Sequence, residues 1–362
     1  MKNICFFNST NFWGGGEKLH LENAIEFKEI NYNVILLSKF NSPLWKKANE
    51  KNLKTHPIKV KNLSFLNPIK IVKLVFFYKI KSIDTVVFST SEDLKFGSIA
   101  AYLAGIKRIV YLRGLAVPIK NNFINRFIFN HILTHIIANS NETKKNMLKH
   151  LERHVREEKI NIIYHGISIE NQKTNTLEEI EKNKHGIVLG NAGRLTEQKG
   201  QDKLIEIAKK LYEQNIDFTL FIAGEGNLKS QLEHLIEKHE LKNHVVLLGH
   251  VEDMEGFMNS IDIFLLSSIW EGFGFVLAEA MLKSKPIVAF DISSNPELVE
   301  NGKSGFLVKY SNLDDFTNKI IRLTKDKALR ENMGNEGLKS VMKKFVLKDR
   351  ILEIEAYLKS TP

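Results

Sequence analysis

Along most of the chain, short apolar runs rich in β-branched and aromatic residues alternate with longer stretches whose apolar positions recur at helical spacing. Such alternation is the pattern of parallel sheets covered by crossover helices, so the fold class is α/β. In the first half the runs predict strands at residues 3–8, 33–37, 55–60, 85–88, 108–112 and 135–138, with helices between. A polar, charge-rich passage over 171–184 then breaks the alternation as a linker would. The pattern restarts at 186–191 and continues with strands at 218–223, 245–248, 261–266 and 286–290 before ending in helices. Two restarts predict two Rossmann-like parallel-sheet domains, residues 1–170 and 171–347, with a last helix in 348–362 that packs back on the first. The length of 362 residues agrees, being too great for one comfortable core. Two such domains imply a cleft between them. No short repeat or low-complexity tract is present, which removes solenoids and collagen-like folds.

Charge changes the picture because it is uneven. Residues 1–160 hold 26 of the 52 Lys+Arg but only 12 of the 42 Asp+Glu, a net of +14 against −4 for the remainder. A basic first domain suggests an anionic partner, and an anionic membrane surface fits better than nucleic acid. Segment 69–81 mixes lysines with large apolar groups as an interfacial helix does, and Phe123, Phe127, Ile128 and Ile132 add a second apolar stripe near Lys120 and Arg126. Both segments read equally well as ordinary helices with a core face and a solvated lysine face. The single Cys5 excludes a disulfide framework within the chain, and no apolar run approaches the ~18 residues that would span a bilayer. With only a few apolar residues between Met1 and Asn8, no secretory leader is expected. The expected location is cytoplasmic, peripheral on the inner face of the membrane if the basic surface binds it.

The richest stretch for chemistry is 271–280, where Glu271 and Glu279 stand eight positions apart around a glycine-containing turn. The spacing puts Glu271 in a loop after a buried strand and Glu279 about one turn into a helix. Backbone N–H groups at that helix start suit a diphosphate, and the two carboxylates can accept hydrogen bonds from hydroxyls on either side of it. Two solvated glutamates beside an ordinary helix is the plain alternative. In the turn after strand 186–191, Arg194 can fork onto phosphate oxygens and Lys199 can act as a point charge, at the strand edge where open α/β sheets bind ligands. The run Gly14-Gly15-Gly16-Glu17 follows the first strand and would let a backbone approach a ligand, or simply make a turn. It is not the G-x-G-x-x-G fingerprint, which disfavours NAD. The turns at Gly224 to Asn227 and Gly249 to Asp253 could line a nucleotide, Val251 offering backbone groups to a base, or serve as tight turns. Scattered histidines, the lack of H-E-x-x-H and the lack of a D-x-D after a strand predict no metal site and no cofactor. Serine-hydrolase and P-loop signatures are also missing.

In order along the chain, Gly14 to Glu17, Gly193-Arg194 with Lys199-Gly200, and Glu271 to Glu279 resemble glycosyltransferase family 4, the retaining enzymes of GT-B fold. The resemblance spans nearly the whole chain and is strongest over 186–310, where Trp270 to Gly274, Glu279-Ala280-Met281, Pro286 to Ala289 and Asn301 to Phe306 fall where the family has similar residues. It implies a nucleotide diphosphate sugar as donor, held mainly by the second domain, and a glycan or lipid-linked acceptor on the first. By the same resemblance Glu271 binds donor-sugar hydroxyls, with Gly272 and Phe273 beside it, and Glu279 binds the ribose. Arg194 and Lys199 hold the diphosphate, Gly274 and Phe275 add amide donors, and the loop at Gly15 and Gly16 closes over the phosphates. Glu271, Arg194 and Lys199 are the expected catalytic residues, in a metal-independent transfer for cell-envelope polysaccharide or lipopolysaccharide synthesis. The chain departs from the family at three places. Arg113 stands where a histidine near the donor sugar is common, and is expected to serve the acceptor or a phosphate; His165 replaces an asparagine and Ser284 a glycine. Two other functions stay open on sequence grounds: a GT-B nucleotide-sugar epimerase or hydrolase, and a basic membrane- or nucleic-acid-binding module.

Overall fold

The computed structural model describes residues 2–151, 155–169 and 175–360. The chain divides into two compact units, residues 1–166 with 348–362, and residues 167–347. In the first, an all-parallel sheet runs in the order β3-β2-β1-β4-β5-β6-β7. Its strands are β1 (Asn3–Asn8), β2 (Asn33–Ser38), β3 (Lys54–Pro57), β4 (Thr85–Phe88), β5 (Arg108–Arg113), β6 (His135–Ala138) and β7 (Ile160–Ile162). The second sheet is also all parallel, in the order β10-β9-β8-β11-β12-β13. It contains β8 (Ile187–Ala192), β9 (Phe218–Ala223), β10 (Val245–Gly249), β11 (Ile263–Leu266), β12 (Ile287–Phe290) and β13 (Gly305–Val308).

Central strands are buried on both faces, which is why they read as unbroken apolar runs. Phe7, Phe88, Tyr111 and Ile136 anchor the first core, and Leu189, Ile222, Ile263 and Val288 the second. Side-chain caps start the flanking helices. Ser42 accepts from the Trp45 N–H, Asn67 from Lys70, Thr90 from Asp93 and Asn312 from Asp315. In each sheet the strand order reverses beside the first strand: β1 lies between β2 and β4, and β8 between β9 and β11. Loops diverge at these points and leave crevices at the carboxyl ends of the strands.

Several expectations are corrected. β7 and β13 were not expected; each has only three or four residues, too few to show a period. β3 ends at Pro57 instead of continuing to residue 60, and β11 begins at Ile263 because the Asp262 carboxylate accepts from the Val188 N–H and turns the chain into the sheet. The part of the expected linker that is described contains a helix, Glu178–Asn183, seated by the buried Ile180; residues 171–174 lie outside the described residues. The last helix, Leu347–Lys359, groups from residue 348 onward with the first unit. There the Tyr357 hydroxyl donates to the Lys159 carbonyl, Arg108 Nε to the Leu358 carbonyl and the Tyr32 hydroxyl to Glu355. Among the described residues no helix is long and apolar enough to cross a membrane.

Candidate functional site

In the second unit the crevice between β8 and β11 is built by two loops that grip each other. After β8 the chain runs through Gly193, Arg194 and Leu195 into a short turn, Glu197–Lys199. After β11 it runs through Ser267, Ser268 and Glu271 to Gly274, which starts the helix Phe275–Leu282 in a left-handed conformation (φ +82°). The Ile269 N–H donates to the Gln198 carbonyl at 2.8 Å, the Ser267 hydroxyl to the Lys199 carbonyl at 2.9 Å and Gln198 Nε2 to the Trp270 carbonyl at 3.1 Å. Gly200 makes this closeness possible. Its φ is +61°, and a Cβ there would lie 2.5 Å from the Ser267 carbonyl oxygen. Gly224 does the same for the turn after β9, where a Cβ would stand 2.0 Å from the Gly193 oxygen. The Gly224 N–H in turn donates to the Gly249 carbonyl at 2.7 Å, so the glycine turns read as possible nucleotide liners are also what packs these loops together.

Across the crevice Lys199 Nζ donates to Glu271 Oε1 at 2.6 Å, and the Ser268 hydroxyl donates to the same oxygen at 2.6 Å. Both charged side chains are largely buried, 16% exposed for Lys199 and 8% for Glu271. The Lys199 stem runs over Gly193, where a Cβ would meet its Cδ and Cε at 3.4 Å. The loop after β12 fixes the backbone at Glu271, with the Ser293 hydroxyl donating to the Glu271 carbonyl at 2.6 Å and Ser294 at 3.4 Å. Three loops thus converge on Glu271: Lys199 and Ser268 hold its carboxylate, and Ser293 and Ser294 its backbone carbonyl.

The structure brings Lys199 and Glu271 together and places Gly272, Phe273 and Gly274, all buried, in the same loop. Arg194 is exposed on the β8 loop, its Nη2 3.5 Å from Gln198 Oε1. Phe275 begins the helix, and Glu279, half-buried, lies one turn further along it. Val251 is half-buried in the turn after β10. Sequence reasoning missed the supporting residues Gln198, Gln201, Ser268, Ser293 and Ser294. Of these, Gln201 Nε2 donates to the Arg194 carbonyl at 3.0 Å and holds the β8 loop. Ser268, three positions before Glu271, is near enough in sequence to be read as its partner.

In the first unit the crevice between β1 and β4 carries a polar network. Ser9 donates to Asp93 through both its N–H (2.9 Å) and its hydroxyl (2.5 Å), Thr90 donates to the same carboxylate, and Asn8 Nδ2 donates to Ser89. Burial pushes the Asp93 carboxyl above its usual range, against the hydrogen bonds that hold it down. Gly15 and Gly16 open the helix Gly15–Glu29 and are exposed. A Cβ at Gly16 would meet nothing within 4 Å and its φ is not positive, so the fold of this unit does not need a glycine there. Arg113 is turned inward and only 4% exposed, donating to the Tyr111 hydroxyl at 3.0 Å and to the Val117 carbonyl at 2.8 Å. Among the described residues, these two bonds leave its buried Nε without a hydrogen-bond partner. His165, also buried, meets Asn139 Nδ2 at 3.0 Å, and burial lowers its pKa to about 3, so the ring is neutral. Among the described residues no group of three or more His, Cys, Asp and Glu could hold a metal ion.

Residues 172–340 match the family described as Glycosyl transferases group 1. The chain is 28% identical over 159 residues to the poly(ribitol-phosphate) alpha-N-acetylglucosaminyltransferase of Staphylococcus aureus, a match covering 44% of this chain and 32% of that relative's length. It is 29% identical over 263 residues, 68% of this chain and 67% of the other, to the UDP-Gal:alpha-D-GlcNAc-diphosphoundecaprenol alpha-1,3-galactosyltransferase of Escherichia coli. In fold it is similar to the crystal structure of Anabaena Alr3699/HepE in complex with UDP and glucose, with a TM-score of 0.84, 23% identity, and coverage of 99% of this chain and 100% of that one. The architecture of two parallel sheets is therefore GT-B.

Proposed function

We propose that this chain, which has the GT-B fold and whose residues 172–340 match the family described as Glycosyl transferases group 1, is a glycosyltransferase that moves a sugar from a nucleotide diphosphate sugar to a glycan or lipid-linked acceptor. The transfer retains anomeric configuration, needs no metal ion, and serves cell-envelope polysaccharide or lipopolysaccharide synthesis. One observation carries this reading: the 2.6 Å contact of Lys199 with Glu271, both largely buried, where the order of the second sheet reverses. A poised cation beside a held carboxylate at such a point suits an anionic, hydroxyl-bearing ligand. The names of the relatives support the substrate classes, since one acts from a UDP-sugar on a diphosphoundecaprenol-linked sugar and the other on a poly(ribitol-phosphate).

In the proposed reaction the bond from the anomeric carbon to the diphosphate oxygen breaks, and an acceptor hydroxyl oxygen bonds to the same face. Its proton passes to an oxygen of the leaving phosphate, so no protein nucleophile is needed. Lys199 shifts from Glu271 onto a phosphate oxygen, and Arg194 forks onto the same group; together they stabilise the charge that develops as it leaves. Glu271, relieved of the lysine, accepts from donor-sugar hydroxyls near the reacting carbon. Glu279 accepts from the ribose, and the N–H groups at Gly274 and Phe275 meet the phosphates. Val251 offers backbone groups to the base.

The expected result with purified protein is release of nucleoside diphosphate that requires an acceptor, persists in EDTA and yields a product with the donor's anomeric configuration by proton NMR. Donor consumption without acceptor would instead assign an epimerase or hydrolase. Thermal shifts against UDP-, GDP- and ADP-sugars identify the donor, since a ligand of the folded state raises its stability. Gly16 supplies a second expectation. Gly16→Ala removes a flexible residue from a helix start with room for the methyl, so the melting temperature holds or rises slightly. If the backbone there approaches a phosphate, the same methyl raises the donor KM, by about tenfold for one lost charge-assisted hydrogen bond. An unchanged KM would remove Gly16 from the binding surface.

A further inference from the structure

The helix Pro68–Ile80 in the first unit is apolar on two sides. Leu74 and Tyr78 face the core, with Ile71, Val75 and Phe77 packed beside them. On the opposite side Ile69, Val72, Phe76 and Ile80 are 66%, 50%, 60% and 75% exposed. Their spacing of three, four and four residues sets them in one stripe along the helix. Leu63 and Leu66, in and beside the turn that precedes the helix, are similarly exposed. A single exposed leucine is ordinary, but a row of large side chains on a helix already docked by its other face needs an occupant.

Charge identifies that occupant. Residues 51–83 contain eight lysines and no Asp or Glu, and residues 51–141 contain 14 Lys+Arg against three acids, of which Asp93 is buried. Among the described residues, Lys70, Lys73, Lys79 and Lys81 have no carboxylate within ion-pair distance. By helical period Lys73 borders the apolar row on one side and Lys79 on the other. A second copy of the same face would set lysine against lysine without a carboxylate to answer it. Nucleic acid matches the charge but gives Ile69, Val72 and Ile80 nothing to bury against. An anionic lipid bilayer answers both halves of the pattern: acyl chains take the apolar row while headgroup phosphates meet the flanking lysines.

We propose that the outer face of helix Pro68–Ile80, with Leu63 and Leu66, docks the first unit on an anionic bilayer surface. This deepens the reading of a lipid-linked acceptor but does not depend on it, because binding is measured with no nucleotide sugar present. The full chain should sediment with vesicles of phosphatidylcholine and an equal amount of phosphatidylglycerol, and remain largely in solution with phosphatidylcholine alone. The triple variant Ile69→Ser, Phe76→Ser, Ile80→Ser should partition at least ~10-fold less, since it removes three inserting side chains, with its melting temperature retained because none of the three is in the core. Lys70→Glu with Lys73→Glu should weaken binding by about tenfold or more at low salt and less at high salt. Wild type left in solution with anionic vesicles, or variants that bind as wild type does, would overturn the proposal. So would a lipid-independent dimer that the triple variant splits, which would give the face to a second copy.

Discussion

Glu271→Gln lowers kcat for sugar transfer by roughly 100- to 1,000-fold while leaving the donor KM within a few fold. The replacement keeps shape and most contacts. Glutamine can still accept from Ser268 through Oε1, and the backbone carbonyl that Ser293 and Ser294 hold is untouched. What disappears is negative charge beside a carbon that becomes positive as the phosphate leaves, an interaction strongest in the transition state. Glu279→Gln behaves differently under the same proposal. A group that holds the ribose binds ground state and transition state alike, so its loss raises the donor KM by about tenfold and leaves kcat nearly unchanged. Steady-state kinetics of the two variants checks both halves. Full turnover by Glu271→Gln would remove the proposed site, and matching profiles for the two variants would remove the division of roles.

How much of this was legible in the sequence depends on which physical signal each part carries. β8, β9 and β12 were legible because strands buried on both faces must be apolar throughout. β3, Lys54–Pro57, lies at an exposed edge, so its polar side chains gave no clear end. β7 follows the charged run Glu157-Glu158-Lys159 and is placed by pairing with β6, a long-range contact without a local mark. In the site, residue types and loop positions could be read, because a carboxylate or lysine after a parallel strand has a restricted set of uses. The partnership of Lys199 with Glu271 spans 72 positions and depends on β8 lying beside β11, which only topology supplies. Arg113 carries a charge that suggested a ligand contact, but its burial and the hydrogen bonds of its two Nη atoms to the Tyr111 hydroxyl and the Val117 carbonyl have no local mark in the sequence.

Lys199→Met separates stability from catalysis. Without ligand, the substitution leaves the Glu271 carboxylate 8% exposed with Ser268 in place of a counter-charge. Breaking one side of a buried pair costs about 3 kcal/mol, so the urea midpoint and melting temperature should fall clearly. Adding Glu271→Gln removes the stranded charge, and the double variant should regain about 1 to 3 kcal/mol over Lys199→Met, a coupling measured by a double-mutant cycle in chemical denaturation. Activity follows another path, because Lys199 is then needed by the departing diphosphate. Lys199→Met should lose roughly 100-fold or more in kcat, and the double variant, although better folded, should be slower still. Stability that recovers while turnover does not is the signature of a pair held together in the resting protein and separated by substrate. Parallel recovery of both would instead make the Lys199–Glu271 contact a structural tie, with the diphosphate neutralised by Arg194 and the backbone amides alone.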